Sequence, residues 1–500
     1  MTDQGLGSWP RRRAAMSPGK AALVQDGATT TYAQLDLATT RLAHGLRAQG
    51  VRWADRVAFL GLNSVEMVVA MFATARIGAV FVPLNTRLAP PELGYLLEHS
   101  GAVLLLVEDS LAAAADQARA GGPGPATVVF TRTTGSGLDA LLADDDSSID
   151  ESIGLDDLFM IQYTSGTSGR PKGVMLTHGN VIWNVYNLLV DIDLGSDETA
   201  LVTAPLFHTA ALNQVLFPIV LKGGTALIES KFDPDRAIDM IERERVSLLF
   251  GVTTMYLALS QASRFHEADL SSLHLALSGG APIPESLLQT WLDRGLMIVQ
   301  GYGLTEASPG TTMLRAGDGV RKLGSAGTPC FFTDLRIVAA DRDADVGEPG
   351  EVLVRGPNVT PGYWQDPAAT ERAFSDGWLH TGDLATRDEE GYLRIVDRLK
   401  DMYISGGENV YPAEVEQALY THPAVAECAV IGVPDSTWGE VGRAFVVVRE
   451  GQHLDADDLL RHLNSRLARY KMPKAVEFVP DLPHNASGKL LKSLLRKATT

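Results

Sequence analysis

Apolar and polar positions alternate with two different periods along this chain, and the period changes mark its elements. From residue 20 to about 110, strand-like and helix-like segments follow one another. Thr30-Thr31-Tyr32 leads into a helical pattern over 33–48, and Val57–Leu60 is a short buried strand. The most apolar stretch, Met67–Leu84, is interrupted by Arg76, Gly78 and Pro83, so it reads as a buried helix followed by a strand rather than a membrane span. The pattern fails over 131–157. There Thr133-Thr134-Gly135-Ser136-Gly137 and Asp144-Asp145-Asp146-Ser147-Ser148 make a polar, acidic connector to which no chemistry is assigned.

Alternation resumes from 158 to 303. Phe159–Tyr163 is an apolar strand, Thr177 is placed to cap the next helix, and Asp233-Pro234 opens another with a cap and a proline at its first turn. Leu248–Gly251, Leu273–Ser278 and Met297–Gln300 are further apolar runs between helices. The order predicts a largely parallel sheet with helices on both faces, and such sheets bind ligands beyond the carboxyl ends of their strands. Gly279-Gly280 and Gly301-Tyr302-Gly303 lie at two of those ends. Residues 320–400 read as short strands and turns, a small β-barrel or meander. Residues 401–500 read as a separate α+β domain, with helices over Pro412–Tyr420 and Asp455–Leu467. The expected class is therefore α/β: a large N-terminal part of stacked mixed and parallel sheets with helices and a small β-barrel, then a small α+β C-terminal part.

Composition narrows the function. The 500 residues carry 61 Asp+Glu against 43 Lys+Arg, a formal charge of −18. That balance argues against a nucleic-acid or anionic-membrane partner, since phosphate backbones reward dense positive charge. Two cysteines, Cys330 and Cys428, supply neither a metal cluster nor a disulfide framework, so a reducing cytoplasm fits. Arg11-Arg12-Arg13 is followed by no apolar run, and Lys497-Ala498-Thr499-Thr500 is no peroxisomal address. A soluble, cytoplasmic protein is expected.

The strongest local signal is Tyr163-Thr164-Ser165-Gly166-Thr167-Ser168-Gly169-Arg170-Pro171-Lys172-Gly173. Glycines let backbone N–H groups approach an anion, hydroxyls add donors and a lysine adds charge, so this is a phosphate loop in physical terms. Pro171 stands where a Walker A loop requires glycine. A flexible Gly/Ser turn is the bland alternative, disfavoured by the strand before it and the Pro-Lys-Gly after it.

With this loop, the chain resembles the adenylate-forming superfamily of acyl-CoA synthetases, peptide-synthetase adenylation domains and firefly-type luciferases. Six further blocks carry the resemblance in family order. They are Ser278-Gly279-Gly280-Ala281-Pro282, Gly301-Tyr302-Gly303-Leu304-Thr305-Glu306, Thr381-Gly382-Asp383, Asp397-Arg398-Leu399-Lys400-Asp401, Ser405-Gly406-Gly407-Glu408-Asn409 and Asn485-Ala486-Ser487-Gly488-Lys489. The resemblance implies an AMP-binding body over 1–397, a hinge over 398–402 and a mobile C-terminal domain over 403–500. It implies ATP, Mg²⁺ and coenzyme A as the small molecules bound.

Residue by residue, the resemblance implies ATP or AMP contacts at Thr164, Ser165, Gly166, Thr167, Ser168, Gly169 and Lys172. It implies further ones at Gly280, Ala281, Pro282, Gly301, Tyr302, Gly303 and Thr305. Tyr302 offers a face to adenine; Asp383 and Arg398 bind the ribose; Glu306 carries the metal, with Thr167 near it. Out of context, a tyrosine between glycines, a Gly-Asp turn and a glutamate after threonine are commonly structural. The chemistry asks little more, since a carboxylate is already an anionic nucleophile at neutral pH. It attacks the α-phosphorus and releases pyrophosphate, and catalysis is positioning plus charge neutralisation. Lys489, Thr305 and His208 are the catalytic candidates. Lys400 stands at the implied hinge, and Ser405, Gly406, Gly407 and Glu408 form the face implied to meet coenzyme A.

The acid is narrowed by weaker signals. Pro205-Leu206-Phe207-His208-Thr209 lacks the aspartate that an amino-acid adenylation domain would show, and resembles acyl- and aryl-CoA ligases. The acyl pocket is expected at His208, Asn213, Gln214, Gly279, Gly280, Gly303, Pro309 and Gly310, the glycines leaving room for a flat group. Gln4–Pro10 resembles the start of actinomycete feruloyl-CoA synthetases, which implies ferulate or 4-coumarate. A medium- or long-chain fatty acid is the runner-up, and luciferase-type oxidation and a non-catalytic adenylate binder are the remaining alternatives. A homodimer stays open. The charge is also uneven: residues 461–500 hold nine Lys and Arg against Glu477 and Asp481, which reads as a basic flap approaching an acidic body that holds phosphates.

Overall fold

The computed structural model describes residues 3–120, 124–131, 138–164, 171–281, 283–405, 408–435, 437–464, 466–484 and 490–499. Among these the strands form four sheets. The largest is built on parallel strands Thr199–Val202, Thr225–Ile228, Leu248–Gly251, Leu275–Ser278 and Ile298–Gly303. Leu248-Leu249-Phe250-Gly251 is buried throughout, which is why it reads as an unbroken apolar run: helices cover both faces.

The second sheet orders Ala126–Phe130, Ala102–Glu108, Arg56–Leu60, Val80–Pro83 and Leu158–Thr164 in parallel, with Lys172–Thr177 antiparallel at its edge. Here the architecture departs from the sequence expectation. Leu158–Thr164 belongs to this second sheet, not to the one formed by the strands that follow it. Conversely, the hairpin Ala21–Gln25/Ala28–Thr31 closes the edge of the large sheet, beside Thr225–Ile228. Each half of the body therefore completes the other's sheet.

One apolar core joins the two sheets, taking Val57 and Phe59 from one and Val202 and Phe250 from the other. Helix Val65–Arg76 lies within it, opened by Ser64, whose Oγ accepts from the Met67 N–H at 3.1 Å. At its far end Arg76 is only 4% exposed. It pairs with Asp36 at 2.7 Å and donates to the Gly7 carbonyl, so a buried charge is compensated. The N-terminal segment is part of this core. Leu6 is fully buried, and Trp9 packs edge-on to Phe217 with centroids 6.0 Å apart.

The expected small barrel takes the form of an antiparallel sheet. Its ten-residue strand Trp378–Arg387 pairs with Gly350–Arg355, Phe374–Ser375 and Leu393–Arg398. The C-terminal part has its own five-stranded sheet around the long hairpin Val425–Asp435/Gly439–Val448 and its own core, including Tyr403, Val415, Val430 and Leu459. Helix Pro412–Tyr420 matches the sequence reading, and the second helix is shorter, Ala456–Asn464. Among the described residues, no helix is long and apolar enough to cross a membrane.

Candidate functional site

Strand Leu158–Thr164 runs into the glycine-rich segment, and Lys172–Thr177 returns from it, with Thr164 directly opposite Lys172 in the ladder. Thr164 and Lys172 thus face one another at a sheet edge, on either side of the glycine-rich segment. Ser165, Gly166, Thr167, Ser168 and Gly169 lie outside the described residues, as do Pro282, Gly406, Gly407 and Lys489. At the hairpin's end Thr177 and Asn180 form a reciprocal cap that starts helix His178–Asp191. The Lys172 ammonium sits over the Tyr363 ring, 4.7 Å from its centroid.

A second group gathers where the large sheet meets the third. Tyr302, near the end of Ile298–Gly303, donates its phenol O–H to Asp383 Oδ2 at 2.8 Å. Arg398 faces Asp383 across an antiparallel pair and brings Nε to 3.2 Å from Oδ1. Asp383 is 6% exposed, so the surroundings fix its carboxylate on both sides. Burial and the Asp383 charge hold the Tyr302 phenol protonated as a donor, far above its ordinary pKa. An open cleft of about 310 Å³ adjoins this group, lined by Thr381, Gly382, Arg398, Leu399 and Lys400. The hinge candidate Lys400 is exposed on its rim; partial burial and the neighbouring Arg398 and Arg496 cations lower its ammonium pKa.

Between these groups runs the segment 304–310, which contains Thr305 and Glu306 in a single 3-10 turn and a cis Ser308–Pro309 bond. Buried amides hold this segment, and of them the sequence reading singled out only Asn213. Helix His178–Asp191 presents Asn180, Asn184 and Asn187 inward, and each serves a different loop. Asn184 accepts from the Gly310 N–H at 2.9 Å and donates to the Asn213 carbonyl at 3.1 Å. Asn213 donates to the Ser308 carbonyl at 2.9 Å, and Asn358 donates to the Ala307 and Gly310 carbonyls at 2.9 and 2.8 Å. Asn180 donates to the Pro357 and Val359 carbonyls, while Asn187 ties Phe332 and Thr333, whose hydroxyl donates to Asn358 Oδ1. The i, i+4, i+7 spacing of the three helical asparagines was the available signal.

Two pocket expectations change here. Asn213 is 1% exposed and its amide is spent on Ser308, so it braces the loop rather than offering a polar tip. At Gly303 the side-chain direction is filled, because a Cβ there would lie 1.8 Å from the Pro309 carbonyl oxygen. Its missing side chain lets two backbone segments touch. A Cβ at Gly279 would likewise meet the Gly301 carbonyl at 3.1 Å, whereas at Gly280, with φ +86°, the Cβ direction is open apart from Val252 at 4.0 Å. Ala281 follows it, accepting from the Thr253 hydroxyl at 3.4 Å.

His208 precedes a short helix, Thr209–Ala211, that continues into a π-helical turn over Leu212–Leu216. Asn63 pins the approach, accepting from the Leu206 N–H and donating to the Ala204 carbonyl, while Gln162 donates to the Phe207 carbonyl. Among the described residues the buried His208 Nε2 and Gln214 Oε1 have no hydrogen-bond partner. Burial, with Arg87 adding repulsion, draws the His208 pKa down to about 4, so the imidazole is neutral at physiological pH. Gln214 runs beneath Gly310, where a Cβ would stand 3.2 Å from Nε2. His178, unremarked in the sequence, is fully buried against Phe159; it accepts from the Leu6 N–H at Nδ1, and burial lowers its pKa to about 3.

The basic flap also changes. Lys492 pairs with Glu416 at 2.8 Å, Arg496 with Asp401 at 2.8 Å, Lys471 with Glu414 at 2.6 Å and Arg461 with Asp458 at 3.4 Å. Much of the local excess is neutralised within residues 401–500 rather than held ready for phosphates. Asp397 accepts from the Ala413 N–H at 3.0 Å, joining the end of the third sheet to the first turn of helix Pro412–Tyr420. Ser405 is buried in strand Tyr403–Ser405, and Glu408 opposite it is exposed.

Glu306 fits a hard divalent cation. Its Oε1 accepts from the Tyr363 hydroxyl at 3.0 Å, and among the described residues Oε2 has no hydrogen-bond partner.

The sequence matches the AMP-binding enzyme family over residues 10–364 and the AMP-binding enzyme C-terminal domain over 414–489. It is 52% identical over 498 residues to a feruloyl-CoA synthase of an Amycolatopsis species, covering 99% of each chain. The anthranilate CoA ligase solved with anthranoyl-AMP is similar at TM-score 0.93 and 28% identity, covering 100% of this chain and 98% of that one. The o-succinylbenzoate coenzyme A synthetase of Bacillus subtilis, solved with ATP and magnesium ion, is similar at TM-score 0.88 and 35% identity, covering 98% and 99%. The chain belongs to the AMP-binding enzyme family and is an AMP-forming acid–thiol ligase that uses ATP, Mg²⁺ and coenzyme A.

Proposed function

We propose that this member of the AMP-binding enzyme family joins a hydroxycinnamic acid of the ferulate or 4-coumarate type to coenzyme A through an acyl-adenylate. The observation that carries the choice of acid is the 52% identity over essentially the whole of both chains to a protein named feruloyl-CoA synthase. Composition and sheet order are common to ligases of many acids and do not select one.

In this reading Asp383 accepts from the ribose hydroxyls, its carboxylate held by Tyr302 and Arg398 so that little reorganisation accompanies binding. Lys172 and the residues Thr164 through Gly169 take the phosphates. Gly280, Ala281 and Pro282, with Gly301 and Tyr302, face the base, and Thr305 donates to a phosphate oxygen. Glu306 holds Mg²⁺, which when bound offsets charge on the phosphates. Neutral His208 lies where its unpartnered nitrogen can orient the acid's carboxylate, and Gln214 with Gly280, Pro309 and Gly310 borders the acyl group. The carboxylate then attacks the α-phosphorus and pyrophosphate leaves. Lys489 neutralises the developing charge, and the thiol of coenzyme A displaces AMP from the adenylate.

The two steps need different surroundings, and the expected division into 1–397, a hinge at 398–402 and 403–500 supplies them by rotation about Lys400. That rotation would bring Ser405–Glu408 to the acyl site. A pyrophosphate-release panel of ferulate, 4-coumarate, benzoate, octanoate, palmitate and amino acids tests the substrate. Ferulate and 4-coumarate are expected to turn over fastest. Turnover of palmitate with silence on every aryl acid would establish the fatty-acid alternative, and amino-acid turnover would remove the subclass.

A further inference from the structure

Tyr363 appears in none of the assignments above, yet it touches two of them. It sits in segment 357–364, which lies along the sheet edge beside Lys172–Thr177. Val174 and Tyr363 form an antiparallel bridge, the Met175 N–H donates to the Gly362 carbonyl at 3.0 Å, and the Trp364 N–H donates to the Gly173 carbonyl at 2.7 Å. The Thr360 N–H donates to the Glu306 carbonyl at 2.7 Å, so the same segment also fixes the backbone of the acidic turn. The Tyr363 side chain is 9% exposed, an unusual place for a polar tip unless that tip is used.

Its hydroxyl is used on Glu306, donating to Oε1 at 3.0 Å, while its ring face lies beneath the Lys172 ammonium at 4.7 Å. One rigid side chain therefore holds an anion at its tip and a cation on its face. Lysine and glutamate attract one another, and a direct ion pair would consume both charges. No such pair forms between Lys172 and Glu306; the ring keeps the ammonium on its face. We propose that Tyr363 is a positioning residue of the adenylation step. It aims the Glu306 carboxylate so that Oε2 faces the divalent cation, and it keeps Lys172 apart from Glu306 and free for phosphate. This rests on the reading of Glu306 as the cation's carboxylate.

A phenol donating to a charged acceptor also restrains the carboxylate rotamer, so its loss is felt in cation affinity more than in the chemical step. Tyr363→Phe keeps the ring under Lys172 and removes only the hydroxyl. It is expected to raise the Mg²⁺ concentration for half-maximal pyrophosphate release about tenfold, with kcat at saturating Mg²⁺ within about twofold of wild type. Calorimetric titration of ATP, with no acid present, should show the variant weakened in Mg²⁺ and unchanged in EDTA. Glu306→Gln and the double variant complete the cycle. If Tyr363→Phe and Glu306→Gln each shift the Mg²⁺ dependence and Tyr363→Phe adds nothing in the Glu306→Gln background, the proposal stands. If Glu306→Gln leaves the Mg²⁺ dependence unchanged, the reading of Glu306 falls and this one with it. If only Glu306→Gln shifts it, Tyr363 has no positioning role, and a lowered melting temperature with unaltered Mg²⁺ dependence marks it as purely structural. An equal loss of ATP affinity with and without Mg²⁺ also overturns the proposal.

Discussion

The carboxylate of Asp383, the ribose contact of the proposed reading, owes its orientation to its neighbours. Tyr302 and Arg398 each bond one oxygen, so the group is aimed before any ribose arrives. Asp383→Asn keeps the shape but weakens both contacts, and KM for ATP should rise about tenfold or more, with kcat reduced less. Tyr302→Phe should reproduce part of that rise without touching the nucleotide's own contacts. The buried imidazoles give a second residue-scale prediction. His178 and His208 have pKa values lowered from 6.5 to about 3 and about 4, so the unfolded chain binds protons that the folded one refuses. Stability should be at its full value above pH 6.5 and fall as the pH drops through 4 toward 3. Thermal melts across that range should show the fall, and His178→Asn should flatten it. A wild-type melting temperature independent of pH between 6.5 and 4 would contradict the burial of both rings as neutral groups.

At the scale of elements, the segment 304–310 owes its shape to amides that lie far away in sequence. Asn184→Ala would remove the partner of the part-buried Gly310 N–H and a donor to the buried Asn213 carbonyl, at a cost of about 1–3 kcal/mol in all. The melting temperature and the adenylation rate should fall together. Gly303→Ala is expected to be worse tolerated than Gly280→Ser in circular-dichroism melts, since only the former drives a Cβ into a carbonyl oxygen. The sequence made the strands and caps of these elements readable: Thr177, Asp233-Pro234 and Pro412–Tyr420 all carry local signals that act within one turn. It did not reveal that Leu158–Thr164 joins the second sheet, because periodicity reports burial and not which neighbour provides it. The bracing bond of Asn213 is illegible in the sequence for a related reason. A polar residue near a pocket and one bracing a loop have the same local pattern, and only the position of Ser308 distinguishes them. Tyr363 belongs to none of the sequence blocks above, although Gly362-Tyr363-Trp364 is an aromatic pair after a glycine with φ +143°.

For the molecule as a whole, the net charge of −18 says less than its pairing. Lys471, Lys492 and Arg496 are bound to carboxylates, so salt should affect the C-terminal part's own stability more than nucleotide affinity. Adenylation rates are accordingly expected to vary little between low and moderate ionic strength. Lys400→Pro should spare adenylation yet slow thioester formation when the half-reactions are measured separately, and equal loss of both would remove the hinge assignment. The network of Asn180, Asn184, Asn187, Asn213 and Asn358 has one more consequence. Most of its bonds run from side-chain amides to main-chain carbonyls and N–H groups, and Asn184, Asn213 and Asn358 thereby fix the path of 304–310 largely without regard to the side chains borne there. Selection, natural or in the laboratory, is therefore free to exchange side chains along this segment while its backbone path stays constant. A scaffold of this kind can inherit its chemistry and vary its diet.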